Sequence, residues 1–424
     1  MSKNYYFSSK KSSFEDGSAL HPFSSFSVLD NLNLQEGDSI LIECNSIFHN
    51  EYLHIHDKDN LTISSYGEGS KPIIDAKGNG TWVQDYGCPL DNPNHRYKAE
   101  VSSTILLFDC NNIKIENLEI QNSQDPNEGT EDLENYSDAL KQDRTGIAVV
   151  AQDRGTLSNI TLSSLNIKHV KGNVYDKHIC NGGIYFAALK PSSDIIPRFD
   201  NVLISKCFVK DVSRWGIAVG YTYLWDKFSG TEIDEQVFLK YGNTNIGIED
   251  CYVKDIGGDG ITVMYALRPV VKHCRADSVA LEMNDKFYSQ PLERQGKVAA
   301  GIWPWKCYEA LFEFNEVYDT KLNQDGMAYD ADSGWNTLYV NNYSHSNEGG
   351  AVMFCMEEAV GSVYKNNVSD DDLGGIFSPA DCPEGIIENN TIYRRESVPL
   401  LRNRMSGGKF SCKNNKDIII KRKR

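Results

Sequence analysis

The chain has 424 residues, of which 40% are hydrophobic and 11% aromatic, with 33 glycines and 22 tyrosines. This length excludes a minimal domain and leaves one elongated domain or two compact ones. The formal net charge of −16 argues against nucleic acid, anionic lipid and acidic polysaccharide as partners unless a local basic groove intervenes, so we expect a neutral ligand and no membrane association.

The cysteine count and the N-terminal residues bear on the compartment. Eleven cysteines make an odd number without the spacing of a metal site, and no basic and then apolar segment precedes Tyr5. We therefore predict reduced thiols in a cytoplasmic protein, or a secreted protein if a signal segment has been removed.

The N-terminal third contains short strands rather than long helices. Residues 1–30 are polar and aromatic and are predicted to form an N-terminal segment or cap, after which strands follow over residues 38–42, 61–66 and 71–75. Only residues 128–141 are predicted as a short helix. An alternation of helices and strands is therefore not expected.

From residue 104 onward the chain repeats a glycine followed by alternating apolar residues. Gly301, Gly326, Gly350 and Gly375 follow one another at intervals of 25, 24 and 25 residues, about the length of one turn of a parallel β-helix. Earlier intervals are longer, so loops are predicted to leave the coil around residues 187–198, 221–243 and 281–299 and to form a cleft. These loops carry aromatic residues suited to stacking on sugars: Tyr221, Tyr223, Trp225, Phe228, Phe287 and Tyr288.

Stacked coils place equivalent residues in columns. We predict a buried inward column consisting of Ile147, Ile184, Ile217, Ile261, Ile302, Met327, Ala351 and Ile376. The asparagine pairs at 341–342, 366–367 and 389–390 are predicted to form turns with ladders of side-chain hydrogen bonds. Cysteines at matching points of the repeat, such as Cys207 and Cys251, are predicted to be buried apolar residues.

The stretch over residues 324–332 contains three carboxylates behind a glycine. Strand alternation predicts that Met327 and Tyr329 point to one side, and Ala328, Asp330 and Asp332 to the other. Acids this close raise each other's proton affinity, as do aromatic neighbours that exclude water, so one acid can hold a proton while another stays ionised. The pattern indicates acid/base chemistry on an acetal; a polar strand edge or a calcium site are the alternatives.

Over roughly residues 30–395 the chain resembles the right-handed parallel β-helix superfamily of carbohydrate-active enzymes, with opening motifs at residues 37–40 and 66–75. The motifs over residues 301–305, 315–317, 325–332 and 342–350 are similar to those of the lacto-N-biosidase family of glycosidases. In that family two aspartates seven positions apart are the catalytic pair of a retaining mechanism. The resemblance implies Asp325 as acid/base and Asp332 as nucleophile, with Asp330 as a neighbour that tunes them.

The residues alone leave other pairs open. Asp330 and Asp332, two residues apart on one strand face, could form an inverting pair, and Asp259 is a reserve candidate two coils earlier. Substrate-binding roles are predicted for residues near the aspartates in the repeat: Trp303, Trp305, Asp259, Tyr329, Trp335, His345 and Glu357.

We therefore predict an all-β protein, a right-handed parallel β-helix with loop insertions forming a cleft. Residues 31–395 form the catalytic domain, and residues 396–424 form a basic, solvated tail. The predicted function is hydrolysis of a neutral oligosaccharide by two aspartates. A lyase acting on a uronate polymer, with calcium at residues 370–372, and a non-catalytic glycan-binding or adhesion protein are the alternatives.

No cofactor and no metal are expected for the hydrolase. The final coil has no evident cap, so we expect that a helper subunit or a homo-oligomer covers its edge.

Overall fold

Short strands of alternating apolar and polar residues, each ended by a tight turn, stack into three long sheets around a common core. The computed structural model describes residues 2–93, 95–123, 142–174, 176–284, 297–402 and 407–421. Within this part of the chain the sheets contain 14, 12 and 11 strands. The right-handed parallel β-helix predicted from the repeat is confirmed. The predicted helix over residues 128–141 lies outside the described residues.

Sheet A begins with the strand nearest the N-terminus and follows the coils in chain order. One further strand of sheet A, the two-residue strand Ala266–Leu267, lies off this order and pairs with the strand Asn243–Glu249. In order, the strands of sheet A are Asn4–Phe7, Ser39–Glu43, Asp59–Tyr66, Asn111–Glu116, Thr156–Ser163, Arg198–Ser205, Asn243–Glu249, Val270–Lys272, Leu311–Glu313, Leu338–Val340, Val360–Lys365, Glu384–Glu388 and Phe410–Lys413.

Sheet B forms the second face of the coil. Its strands are Ile47–His49, Ile73–Asp75, Glu119–Asn122, Asn166–Val170, Phe208–Val212, Tyr252–Ile256, Arg275–Asp277, Glu316–Tyr318, Tyr343–His345, Val368–Asp370, Thr391–Arg394 and Lys416–Ile419.

Sheet C forms the third face. It is parallel except for the strand Thr81–Asp85, which pairs antiparallel with Lys98–Phe108. Its remaining strands, in chain order, are Leu53–His56, Lys98–Phe108, Asp143–Ala151, Gly182–Ala188, Trp215–Thr222, Ile261–Met264, Ile302–Trp305, Met327–Asp332, Gly350–Cys355 and Phe377–Ala380.

The inward column of sheet C is the centre of the core, and its last three members differ from the prediction. The strand register continues from Ile302 to Tyr329, Val352 and Phe377, whereas Met327, Ala351 and Ile376 were predicted. The reason lies in the glycines used to align the coils. Gly326, Gly350 and Gly375 have φ values of 70°, 126° and 115°, unlike the aligning glycines of the earlier coils, so the inward residue follows each of them at a later position. Ala351 and Ile376 are nevertheless buried in the same core.

The predicted asparagine ladder is confirmed at the turns between sheets A and B. The Asn342 side-chain amide donates to the Asn367 side-chain oxygen at 3.0 Å, and Asn367 donates in the same way to Asn390 at 3.3 Å. The preceding residues Asn341 and Asn366 have φ values of 58° and 55°. Each coil is therefore joined to the next by buried side-chain bonds as well as by the sheet.

The β-helix is longer at both ends than the predicted boundaries of 31 and 395. Asn4–Phe7 pairs with Ser39–Glu43, and Phe410–Lys413 and Lys416–Ile419 extend sheets A and B. The last strand, Lys416–Ile419, has no buried side chain, so its sequence lacks the alternating pattern although its backbone continues the ladder.

A second apolar cluster covers the outside of sheet C, and it positions the candidate site. The predicted loop at residues 221–243 contains the helices Trp225–Lys227 and Glu235–Tyr241, the latter begun by Asp234, whose side chain accepts from the amide of Gln236. The third described helix, Phe26–Asn31, lies near the N-terminus. We call the second cluster the outer aromatic cluster; its rings include Tyr86, Tyr185, Trp215, Tyr221, Phe228, Phe238, Tyr265, Trp303 and Trp335.

Among the described residues, no helix has both the length and the apolar character needed to cross a membrane. Most of the predicted loop at 281–299, including Phe287 and Tyr288, lies outside the described residues.

Candidate active site

The strand Met327–Asp332 presents two of the three predicted carboxylates to the outside of sheet C. Tyr329 and Ala331 belong to the inner core, so strand alternation directs Asp330 and Asp332 outward. The prediction for the start of the strand is wrong. Ala328 packs in the inner core, whereas Met327 joins a small separate cluster with Met353, Cys355 and Ala380.

Asp325 lies in the turn that precedes this strand, and the turn is held in place by a neighbouring amide. The Asn323 side chain accepts from the backbone N–H of Asp325 at 2.7 Å and donates to the Ala299 carbonyl at 3.1 Å. Gly326 follows with a φ of 70°, and a Cβ there would lie 2.9 Å from the Lys321 carbonyl. The turn therefore requires glycine, and Asp325 is fixed relative to the coil below.

Asp332 ends the strand in an environment that favours its protonated form. Burial raises the pKa of Asp332 to about 8; the Lys177 ammonium opposes this shift, and the charge of Asp325 adds to it. The Ser333 hydroxyl donates to the Asp332 carboxylate at 3.1 Å. Asp325 and Asp332 therefore interact electrostatically, as two carboxylates sharing a site must.

Two lysines that the sequence analysis did not select flank Asp332. The Lys306 ammonium lies 2.9 Å from a carboxylate oxygen of Glu358 and donates to the Phe228 carbonyl at 2.9 Å. The Lys177 ammonium lies 5.3 Å from the ring centroid of Trp303. Both positive charges lower the pKa of Asp332 against the effect of burial, and so stabilise its ionised form. No spacing pattern connects these lysines with the aspartates.

The two predicted tryptophans line the same outer face, with different exposure. Trp305 is opposite Asp332 in the strand register and keeps part of its surface exposed. Its indole N–H donates to the Tyr265 hydroxyl at 2.8 Å, and its ring meets that of Trp303 edge-on at 6.3 Å. Trp303 is only 4% exposed. Trp305 is therefore the ring that offers an accessible surface beside the aspartates.

Asp259 is buried in an ion pair, which corrects its predicted contact with substrate. It is 0% exposed, and one oxygen lies 2.8 Å from the Arg214 guanidinium. Its other oxygen accepts from the Ala300 amide at 3.0 Å and from the indole N–H of Trp303 at 2.9 Å. Asp259 therefore positions Trp303 from within the protein.

Tyr329 and Trp335 are also too buried for the predicted contact with a ligand. The Tyr329 hydroxyl lies in the inner core and donates to the carbonyls of Asn315 and Tyr343. Trp335 is 3% exposed, and its indole N–H donates to the Gly230 carbonyl at 3.2 Å. Tyr329 replaces the aliphatic residue of the inner column, and Trp335 anchors the loop at 221–243.

His345 and Glu357 are not brought to the aspartates in the way that was predicted. His345 lies in sheet B, stacked on Tyr318 at 4.5 Å and 3.6 Å from a Glu316 oxygen, because the chain has turned onto another face of the coil. Glu357 is exposed, whereas its neighbour Glu358 binds Lys306. The acidic run at 370–372 is also divided, since Asp371 pairs with Arg395 and Asp372 accepts from Ser344 and Ser369.

The raised pKa of Asp332 predicts a pH-dependent effect of its replacement on stability. A carboxyl whose folded pKa lies above its unfolded value, about 3.9, makes folding progressively less favourable as pH rises from about 4 to 8. We expect Asp332→Asn to increase the free energy of unfolding by roughly 3–4 kcal/mol more at pH 8 than at pH 5, since each pH unit between the two pKa values adds about 1 kcal/mol. Urea unfolding at both pH values measures this, with Asp319→Asn as a control. An equal effect at both pH values would contradict the prediction.

Comparisons with known proteins identify relatives of this chain. The chain is 40% identical over 402 residues to a lacto-N-biosidase of Bifidobacterium longum subsp. longum, a match that covers 85% of this chain and 25% of that protein. It matches native and selenomethionine crystal structures of a GH136 lacto-N-biosidase from Eubacterium ramulus with a TM-score of 0.94 and 48% identity. The match covers 99% of this chain and 68% of that one. A scan against protein-family models found no match.

Proposed function

Because the chain belongs to the GH136 lacto-N-biosidase family, we propose that it is a glycoside hydrolase that releases a disaccharide unit from a neutral oligosaccharide. The chain spans about a quarter of the length of the Bifidobacterium protein, so the activity is proposed for the part that the two share. The observation that carries the proposal is the Asp325 and Asp332 pair, which lies beside Trp305 and is flanked by two ammonium groups.

We propose a retaining mechanism with Asp325 as acid/base and Asp332 as nucleophile. Asp332 attacks the anomeric carbon while the glycosidic bond breaks, and Asp325 donates its proton to the leaving oxygen. Asp325 then removes a proton from the water that hydrolyses the glycosyl ester. Lys177 and Lys306 support this assignment, because their charges lower the pKa of Asp332 and so favour the anion that attacks, against the opposite effects of burial and of the Asp325 charge.

The charge and surface of the site support a neutral substrate. The chain carries a formal charge of −16, and the carboxylates would repel a uronate polymer. The partly exposed Trp305 ring offers a face on which a sugar can stack. We propose an oligosaccharide that ends in lacto-N-biose, the unit in the name of the relatives.

A substrate panel tests the proposal. The chain is incubated with nitrophenyl lacto-N-bioside, with nitrophenyl monosaccharides, with milk and plant oligosaccharides and with polygalacturonate. We expect release of lacto-N-biose and no unsaturated uronate product, with NMR of the first product showing retention. Cleavage of polygalacturonate, or glycan binding without cleavage of any substrate, would overturn it.

A further inference from the structure

A group of two imidazoles and one carboxylate, with His178 buried and Asp91 and His95 partly buried, lies outside the catalytic pair and has no role in the proposed hydrolysis. Asp91, His95 and His178 each direct one ligand atom to a common point, and these atoms all lie within 4.8 Å of one another. His95 Nδ1 lies 3.6 Å and His178 Nε2 lies 4.0 Å from the same Asp91 oxygen. These separations are longer than hydrogen bonds.

Three of the four ring nitrogens of these histidines have no hydrogen-bond partner in the described part of the protein. His178 is 3% exposed, and neither of its ring nitrogens has a hydrogen-bond partner there; His95 Nδ1 is also buried without one. Buried polar nitrogens are normally satisfied by hydrogen bonds or by metal ligation.

The surroundings hold these ligands in position. Gln84 and Tyr86 donate to the His178 backbone carbonyl at 3.2 and 2.8 Å, and the His178 ring stacks on Tyr221 at 3.8 Å. The Tyr221 hydroxyl donates to Asp91 at 3.0 Å. Hydrogen bonds of this kind to a carboxylate orient metal ligands in known sites.

We propose that Asp91, His95 and His178 bind a divalent transition-metal ion of the zinc type. Two imidazole nitrogens and one carboxylate oxygen suit Zn²⁺, and ligands about 2.0–2.1 Å from the ion lie roughly 3.3 Å from one another. The two separations from the Asp91 oxygen therefore need to contract by less than 1 Å, and the separation between the two imidazole nitrogens, which is within 4.8 Å, by at most about 1.5 Å. The ion would join the segment that contains Asp91 to the turn that contains Lys177 and His178, and so steady the lysine beside Asp332.

Metal titration of the full chain tests this site. After dialysis against EDTA, we expect one equivalent of Zn²⁺ to bind in competition with a chromophoric chelator and to raise the thermal unfolding temperature. We also expect Co²⁺ to give the visible absorption bands of a low-coordinate nitrogen and oxygen site. His178→Gln and His95→Gln should each weaken binding by at least about 100-fold.

The matched control is His169→Gln. His169 also lies 2.7 Å from an aspartate oxygen, that of Asp211, but among the described residues no second imidazole joins these two side chains in a metal-binding group. It should bind Zn²⁺ like the wild type. A Kd for Zn²⁺ above about 10 μM in the wild type, or unchanged binding in both variants, overturns the proposal. If a variant fails to fold, the Co²⁺ spectrum of the wild type still tests the proposal, because the absence of the bands of a low-coordinate site would overturn it.

Discussion

Replacing Asp332 with asparagine is expected to lower kcat/KM by roughly 10⁴-fold, because the amide removes the nucleophile and leaves no group to form the glycosyl ester. Asp325→Asn is expected to cost about 10²–10⁴-fold, the range for loss of a positioned general acid. A nitrophenyl leaving group needs little protonation, so Asp325→Asn should lose less activity on nitrophenyl lacto-N-bioside than on an oligosaccharide. Asp332→Asn should be impaired on both.

Initial rates on both substrates measure these effects, and azide separates the two roles. Adding azide to Asp332→Ala should restore turnover and give a glycosyl azide of inverted configuration, whereas azide rescue of Asp325→Ala should give retention. Asp319→Asn, in the same coil, is the control and should retain full activity. Wild-type rates in both asparagine variants would show that the aspartates are structural, and exchanged azide products would reverse their roles.

Removing the buried partner of Arg214 is expected to produce the largest loss of stability. Asp259→Ala leaves a guanidinium that is 1% exposed without its carboxylate, and such a loss typically costs about 3–5 kcal/mol. It also removes the acceptors of the Ala300 amide and the Trp303 indole. We therefore expect a lower urea midpoint together with a changed tryptophan fluorescence spectrum.

The matched control for this change is an ion pair on the surface. Glu249 and Lys272 lie 3.2 Å apart with both side chains about one third exposed, so Glu249→Ala should cost less than about 1 kcal/mol. Urea unfolding of both variants at one pH makes the comparison. If Asp259→Ala proves no more destabilising than Glu249→Ala, the buried pair does not hold this part of the sheet.

Much of the fold could be predicted because a stacked coil must bury the same positions in every turn. The glycine repeat and its alternating apolar residues therefore revealed the parallel β-helix, and the paired asparagines revealed the ladder at the turns. The error in the inner column came from Gly326, Gly350 and Gly375, whose positive φ angles shift the position of the inward residue. Sequence spacing cannot distinguish a glycine in a strand from one that precedes it.

The candidate site was harder to predict from the sequence, because residues close along the chain can lie on different faces of the coil. His345 follows Asp332 closely in sequence but lies on sheet B, and the nearby Trp335 is buried under the loop at 221–243. Lys177 is far from Asp332 in sequence, yet its charge acts on that carboxyl. Only the folded loops bring such residues together.

The sequence by itself determined the coil and the outward direction of Asp330 and Asp332, because both follow from local alternation and spacing. The candidate pair Asp325 and Asp332 came from the resemblance to the lacto-N-biosidase family and stays a prediction. Tertiary structure alone decided that Asp259 is bound to Arg214, that Lys177 and Lys306 flank Asp332, and that Asp91 and His95 meet His178. These contacts join different loops on the outside of sheet C. Their geometry depends on how far each loop extends from the coil and where it returns, which the repeat does not encode.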